Sequence, residues 1–126
     1  MRLAGKVGIV TGGGTGIGKA AALRFAQEGA RVVVANRTEK TGQDTVRAVV
    51  EAGGQALWVR TDVAVEADAR AMVEATVEAY GRLDILFNNA AIQTFGTAVS
   101  LKTLEWDELI DINLKGMFLG ARYAVP

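Results

Sequence analysis

Residues Thr11-Gly12-Gly13-Gly14-Thr15-Gly16-Ile17-Gly18 decide the fold. They follow a short apolar run, Lys6–Thr11 (KVGIVT), of the kind that suits a buried strand. They lead into Gly16–Glu28, where Ile17, Ala21 and Phe25 recur at helical spacing and Gly29 supplies a stop. A glycine turn between a buried strand and a helix offers an anionic ligand free backbone N–H groups, a close approach and a helix N-terminus. Gly12 permits the tight turn, Gly16 admits the phosphate to the backbone, and Gly18 lets the helix pack closely on the sheet. Gly14, Thr15 and Ile17 complete the loop and are expected at the same ligand. The spacing is G-x-x-x-G-x-G rather than the commoner G-x-G-x-x-G.

Outward from this loop, strand-like and helix-like runs alternate along the whole chain. Strands are expected at Arg31–Ala35, Ala56–Arg60 and Leu83–Phe87. Helices are expected at Thr38–Ala52, Val65–Tyr80 and Leu101–Ala124. In the first of these, Thr38 is the expected N-cap and Val46, Val49 and Val50 the apolar stripe. The second repeats Val65, Ala69, Met72, Val73, Thr76, Val77 and Tyr80 on one face, and the last is apolar on more than one side. The order β-α-β-α-β-α-β-α implies right-handed crossovers and a parallel, doubly wound α/β sheet of Rossmann type, with helices on both faces. The only Pro is Pro126. No internal boundary is visible, so residues 1–126 read as one dinucleotide-binding domain.

Composition removes several classes of function. The 126 residues carry 14 Lys+Arg and 14 Asp+Glu, which leaves no basic field for nucleic acid or an anionic membrane. There is no Cys and no His, so thiolate chemistry, disulfides and the usual transition-metal ligands are absent and no metal site is expected. No apolar stretch has the length of a membrane span. A reducing cytoplasm suits such a chain.

Three motifs taken together resemble the short-chain dehydrogenases/reductases, most closely the branch of 3-oxoacyl-acyl-carrier-protein reductases and sugar or alcohol dehydrogenases. They are the Thr-Gly-x-x-x-Gly-Ile-Gly loop, Asp62-Val63 after the third strand, and Asn88-Asn89-Ala90 after the fourth. The family pattern ends that third motif with Gly, where this chain has Ala91. Ala91 narrows the passage beside the cofactor ribose. The resemblance implies hydride transfer between a nicotinamide and a small carbonyl compound or secondary alcohol. It also implies that Asp62 and Val63 meet the adenine and that Asn89, Ala90 and Ala91 line the cofactor cleft. Asp62 could also serve as a plain N-cap for the next helix, and Asn88 or Asn89 could simply tie strand ends together.

Cofactor choice turns on Asn36-Arg37, just past the second strand. Asn36 brings no charge against a 2′-phosphate, and Arg37 can make a bidentate, charge-assisted contact with one. NADP is therefore expected over NAD, although Thr15 stands where many NADP-users carry Arg or Lys. Asn113, on the last helix, matches the family's Asn of a proton relay. The family's Ser and Tyr-x-x-x-Lys have no counterpart. Tyr80 is followed four residues later by Asp84, and Tyr123 has three residues after it. The domain is thus expected to be incomplete relative to the family, stopping after the fourth strand and its helix. Two readings stay open: an NAD(P)-dependent oxidoreductase in the complete protein, or a catalytically inactive nucleotide-binding module that needs a partner. The unpaired fourth strand and the apolar last helix (Trp106, Leu109, Ile110, Leu114, Met117, Phe118) imply self-association into a homo-oligomer.

Overall fold

Four residues without a polar side chain, followed by Thr11, make a strand that must be covered on both faces. In the computed structural model, which describes residues Met1–Pro126, Val7–Thr11 (β1) is buried along its whole length. Arg31–Asn36 (β2) pairs with β1, and Gln55–Arg60 (β3) pairs with β2. Ile85–Phe87 (β4) pairs with the other side of β1. All pairings are parallel and the order is β3-β2-β1-β4. The chain winds outward to β3 and then crosses to the far side of β1, as the alternating pattern predicts.

Neighbouring residues of one strand serve opposite faces. Val10, Val32 and Val34 pack with Ala22, Phe25 and Ala26 of Gly16–Gln27 (α1) and with Val46 of Glu39–Glu51 (α2). Ile9, Val33 and Ala35 pack with Met72, Val73 and Tyr80 of Glu66–Tyr80 (α3). Each fully buried Val or Ile contributes about 1.5–3 kcal/mol.

Several expected details shift. The buried side of α2 is Gly42, Thr45 and Val49, while Val50 is exposed. Thr38 holds the N-cap position without a side-chain cap, and its carbonyl accepts from the Thr41 hydroxyl instead. Val65 and Val77 are exposed, and α3 buries Ala69, Met72 and Thr76. Ile17 points away from the core and is 74% exposed.

The fourth strand begins at Ile85, not Leu83, because Asp84 is occupied as an anchor. Its carboxylate accepts from the Val7 N–H at 2.9 Å, and its own N–H donates to the Val7 carbonyl at 2.9 Å. The expected last helix is three pieces in line: Thr103–Ile110 (α4), a π-helical turn at Asp111–Lys115, and Gly116–Ala124 (α5). A π turn inserts extra residues into the 3.6-residue period. The apolar pattern therefore changes phase, which is why the segment reads as apolar on more than one side. Ile112 and Leu119 face inward; Leu104, Trp106, Leu114, Met117 and Phe118 face solvent. No helix is long and apolar enough to cross a membrane.

Asp84 also accepts two bonds from the Arg82 guanidinium, at 2.7 and 2.8 Å. Those bonds first, and the Val7 N–H second, hold its carboxyl below the ordinary range. A lowered folded-state pKa stabilises the fold above the ordinary carboxylate pKa, and the benefit fades as pH falls through the lowered value. Asp84→Asn should therefore lower the thermal midpoint at neutral pH, and the gap to wild type should shrink on acidification. A gap that is the same at neutral and acid pH would count against this anchor.

Candidate functional site

The glycine loop needs backbone that other residues resist. Gly12 and Gly16 lie at φ +65° and +53°, in the left-handed region. A Cβ on Gly12 would sit 2.9 Å from the Ala90 Cα, and one on Gly18 would run into the Gly12 carbonyl and Asn89. A Cβ on Gly16 would meet nothing, because it faces open space. Thr15 occupies the α1 N-cap without a side-chain cap bond. The first-turn N–H groups of Gly16, Ile17 and Gly18 find no acceptor in the chain. An uncapped helix start beside a close-approach glycine is a place for an anion.

Two buried threonines hold the loop in position. The Thr45 hydroxyl donates to the Gly13 carbonyl at 2.9 Å and so ties α2 to the loop. The Thr11 hydroxyl accepts from the Asn89 and Ala90 N–H groups, each at 3.0 Å, and donates to the Phe87 carbonyl at 3.3 Å. The Asn89 side-chain amide donates to the Thr11 and Gly12 carbonyls at 3.2 and 3.3 Å. Asn88 donates to the Met117 carbonyl at 3.4 Å. Both asparagines thus tie elements together, and Asn89 does so at the wall of a cleft.

That cleft opens at the carboxyl ends of β1 and β4, where the strand order reverses, and measures about 440 Å³. Cofactor sites run from roughly 300 to 1,000 Å³ and favour such switch points. Of the residues singled out in the sequence, Gly12, Gly14, Thr15, Gly16, Ile17, Asn36, Arg37, Asp62, Val63, Asn89, Ala90 and Ala91 line it together. Gly18 lies beneath, against Gly12. The lining also contains Thr38, Thr41, Thr61, Ile92 and Ile112, which the motifs did not single out. Of these only Thr41 carries a sequence signal, since it shares a helix face with Thr45 one turn on.

Asp62 is not the cap of α3, whose N-cap is Val65. Its Oδ1 accepts from the Ala64 N–H at 3.0 Å, and its backbone N–H donates to the Asp68 carboxylate at 2.9 Å. Its other carboxylate oxygen bonds to nothing in the chain and remains available at the cleft.

Asn113 sits within the π turn and does not line the cleft; its neighbour Ile112 does. The Asn113 Oδ1 accepts from the Ile92 N–H and its Nδ2 donates to the Ile92 carbonyl, both at 2.8 Å. The side chain clamps the cleft wall with both polar ends. The clamp is directional, since it needs an acceptor facing the N–H and a donor facing the carbonyl, which an amide offers at every pH and a carboxylate does not. Asn113→Ala should cost about 1–3 kcal/mol, the price of leaving the Ile92 groups unpaired. Asn113→Asp should cost more at neutral pH, because a carboxylate then faces the Ile92 carbonyl, and acidification should recover part of the loss. Urea unfolding of both variants at two pH values checks this; an Asp variant as stable as wild type at neutral pH would contradict the clamp.

Known proteins share this geometry. The chain is 43% identical over 125 residues to an uncharacterized oxidoreductase of Thermotoga maritima, covering 99% of this chain and 49% of that protein. It is 40% identical to a 2,5-dichloro-2,5-cyclohexadiene-1,4-diol dehydrogenase of Sphingobium indicum, covering 99% of this chain and 50% of that one. A metagenomic short-chain oxidoreductase, solved in complex with NADP, superposes with a TM-score of 0.95 at 37% identity, covering all of this chain and 57% of its own. The chain spans about half the length of the curated relatives it matches. Residues 6–126 match the short chain dehydrogenase family, and with the glycine loop, the strand order and the cleft all in place the chain belongs to that family.

Proposed function

We propose that this chain is the nucleotide-binding half of an NAD(P)-dependent oxidoreductase that prefers NADP. The observation that carries the reading is the uncapped start of α1, set beside a glycine loop and opening into the cleft at the strand switch point. The N–H groups of the Gly14–Ile17 segment would hold the pyrophosphate. Asn36 and Arg37 would flank the adenosine ribose, with Arg37 supplying charge for a 2′-phosphate. Asp62 and Val63 would meet the adenine, and Asn89, Ala90 and Ala91 would border the path toward the nicotinamide. When bound, the nicotinamide supplies the hydride donor or acceptor. In the complete protein the partner substrate is a small carbonyl compound or a secondary alcohol. Asn113 acts by fixing Ile92, and through it the wall beside the cofactor. A second copy of the chain is the proposed cover for the solvent-facing apolar residues of α4 and α5.

A second reading is favoured by one specific feature. No Tyr-x-x-x-Lys occurs in these 126 residues. By this reading the chain binds nucleotide and needs a partner segment for turnover. General acid–base catalysis contributes about 10²–10⁴-fold, and an asparagine amide cannot supply it. Mixed with NADPH and a panel of ketones, aldehydes and 3-oxoacyl thioesters, the chain alone should give no absorbance loss above the enzyme-free rate. Turnover would place the proton donor among residues not named above.

Calorimetric titration with NADP and NAD tests the binding reading. Arg37→Ala should weaken NADP by roughly 1.5–3 kcal/mol, as for a hydrogen bond to a charged group, and leave NAD nearly unchanged. Gly16→Val should abolish both, because a β-branched residue resists the positive φ and its side chain enters the cleft mouth. Equal losses of NADP and NAD on Arg37→Ala would contradict the ribose assignment. Wild-type affinity in Gly16→Val would reduce the loop to a turn.

A further inference from the structure

The amide of Asn36 is not free to choose which end it shows the cleft. The Trp58 indole Nε1 donates to Asn36 Oδ1 at 2.6 Å. Asn36 Nδ2 donates to the Thr41 hydroxyl at 3.0 Å, and that hydroxyl donates to the Thr38 carbonyl at 3.2 Å. An indole nitrogen can only donate and a backbone carbonyl can only accept. Both ends of the chain of bonds are therefore fixed in polarity, and no link between them can reverse. The oxygen of Asn36 is held against Trp58, and its NH₂ is held toward Thr41 and the glycine loop. A Cβ on Gly14 would collide with that same Nδ2, so the donor end lies against the loop. Packing fixes the indole too. Trp58 sits on β3 opposite Val34, and α2 presses on it so closely that a Cβ on Gly42 would collide with the ring.

We infer that Trp58 is a specificity-determining positioning residue: its N–H locks the Asn36 amide with the donor end toward the cleft, which favours a 2′-phosphate over a free ribose hydroxyl. The inference rests on the ribose position proposed above. A phosphate needs donors, and the locked amide has a second N–H that bonds to nothing in the chain. A ribose hydroxyl also needs an acceptor for its own hydrogen, and Asn36 Oδ1, which keeps a second lone pair, is turned toward Trp58 and Gly42 rather than the ribose. Arg37 adds only donors. Selection at this corner of the cleft is thus set by a residue one strand away, which does not itself line it.

The test uses the full chain, with NADP and NAD titrated by calorimetry. Trp58→Phe keeps a ring and removes the N–H. The ratio of NADP to NAD affinity should then fall about fivefold to tenfold, as one charge-assisted bond loses its orientation. NAD affinity should hold or rise. In an Asn36→Asp background the two ends of the side chain are alike, so adding Trp58→Phe should leave the ratio unchanged. A merely structural Trp58 would weaken both nucleotides equally in both backgrounds, and that result overturns the inference. Failure of the wild-type chain to bind either nucleotide would instead sink the proposed function. If Trp58→Phe does not fold, hydrogen exchange in the wild-type chain decides. The Trp58 indole N–H should exchange far more slowly than that of the exposed Trp106, and equal rates overturn the lock.

Discussion

One buried hydroxyl holds the site together. The Thr11 side chain, 1% exposed at the carboxyl end of β1, accepts two backbone N–H groups from the segment after β4 and donates to the last carbonyl of that strand. A hydroxyl has one donor and two acceptor positions, and here all three are filled. The bonds join residues 78 and 79 positions apart in sequence, so they fix the separation of the two strand ends that frame the cleft. Asn89 adds bonds to the Thr11 and Gly12 carbonyls from the same direction. The glycine loop can then lie close to Ala90, which is the approach that excludes a Cβ at Gly12.

Much of the rest of the cleft follows the same rule, with each amide held in one orientation by partners that cannot change role. Asn113 faces an N–H and a carbonyl of Ile92, while Asn36 stands between an indole and a hydroxyl whose hydrogen points elsewhere. No buried side-chain nitrogen or oxygen is left without a partner. Asparagine suits this use because its two ends differ in chemistry but not in shape. A carboxylate or an aliphatic residue of similar size would fit the space and lose the direction.

What the sequence made legible is what local chemistry dictates. The glycine loop, the continuous apolar runs of β1 and β2, and the strand-end positions of Asp62 and Asn89 were readable because each depends on nearby residues. The clamp of Asn113 on Ile92 was not, since it requires a π turn to bring a helix residue onto a loop, and that turn also blurred the helical period. By sequence alone Asn36 is an uncharged neighbour of a ribose. Its real constraint comes from Trp58, 22 residues later, and is visible only once β2 and β3 are in register. Ile17 shares its helical spacing with Ala21 and Phe25, yet it lies at the first turn, where it is exposed and lines the cleft, the place the loop motif gives it. Asp62 precedes a helix and has a capping side chain, which is why a cap role is open from sequence; the N-cap is Val65, and the carboxylate instead closes a short turn onto Ala64.

The strand β4 is three residues long and pairs with β1 only at Gly8, Ile9 and Val10. The chain from Asn88 onward, including one wall of the cleft, is held to the rest by this short seam, by the Thr11 hydroxyl and the Asn89 amide, and by the packing of α5 on α3, where the Tyr123 hydroxyl donates to Glu66. Such a seam can open while the pairing of β1, β2 and β3 persists, since stability is not uniform across a fold. A molecule that bridges the glycine loop and the Asn89–Ala91 wall binds only the closed form, and by mass action it raises the cost of opening in step with its occupancy. The exchange of backbone amides along that wall is therefore a gauge of ligand affinity that needs no signal from the ligand.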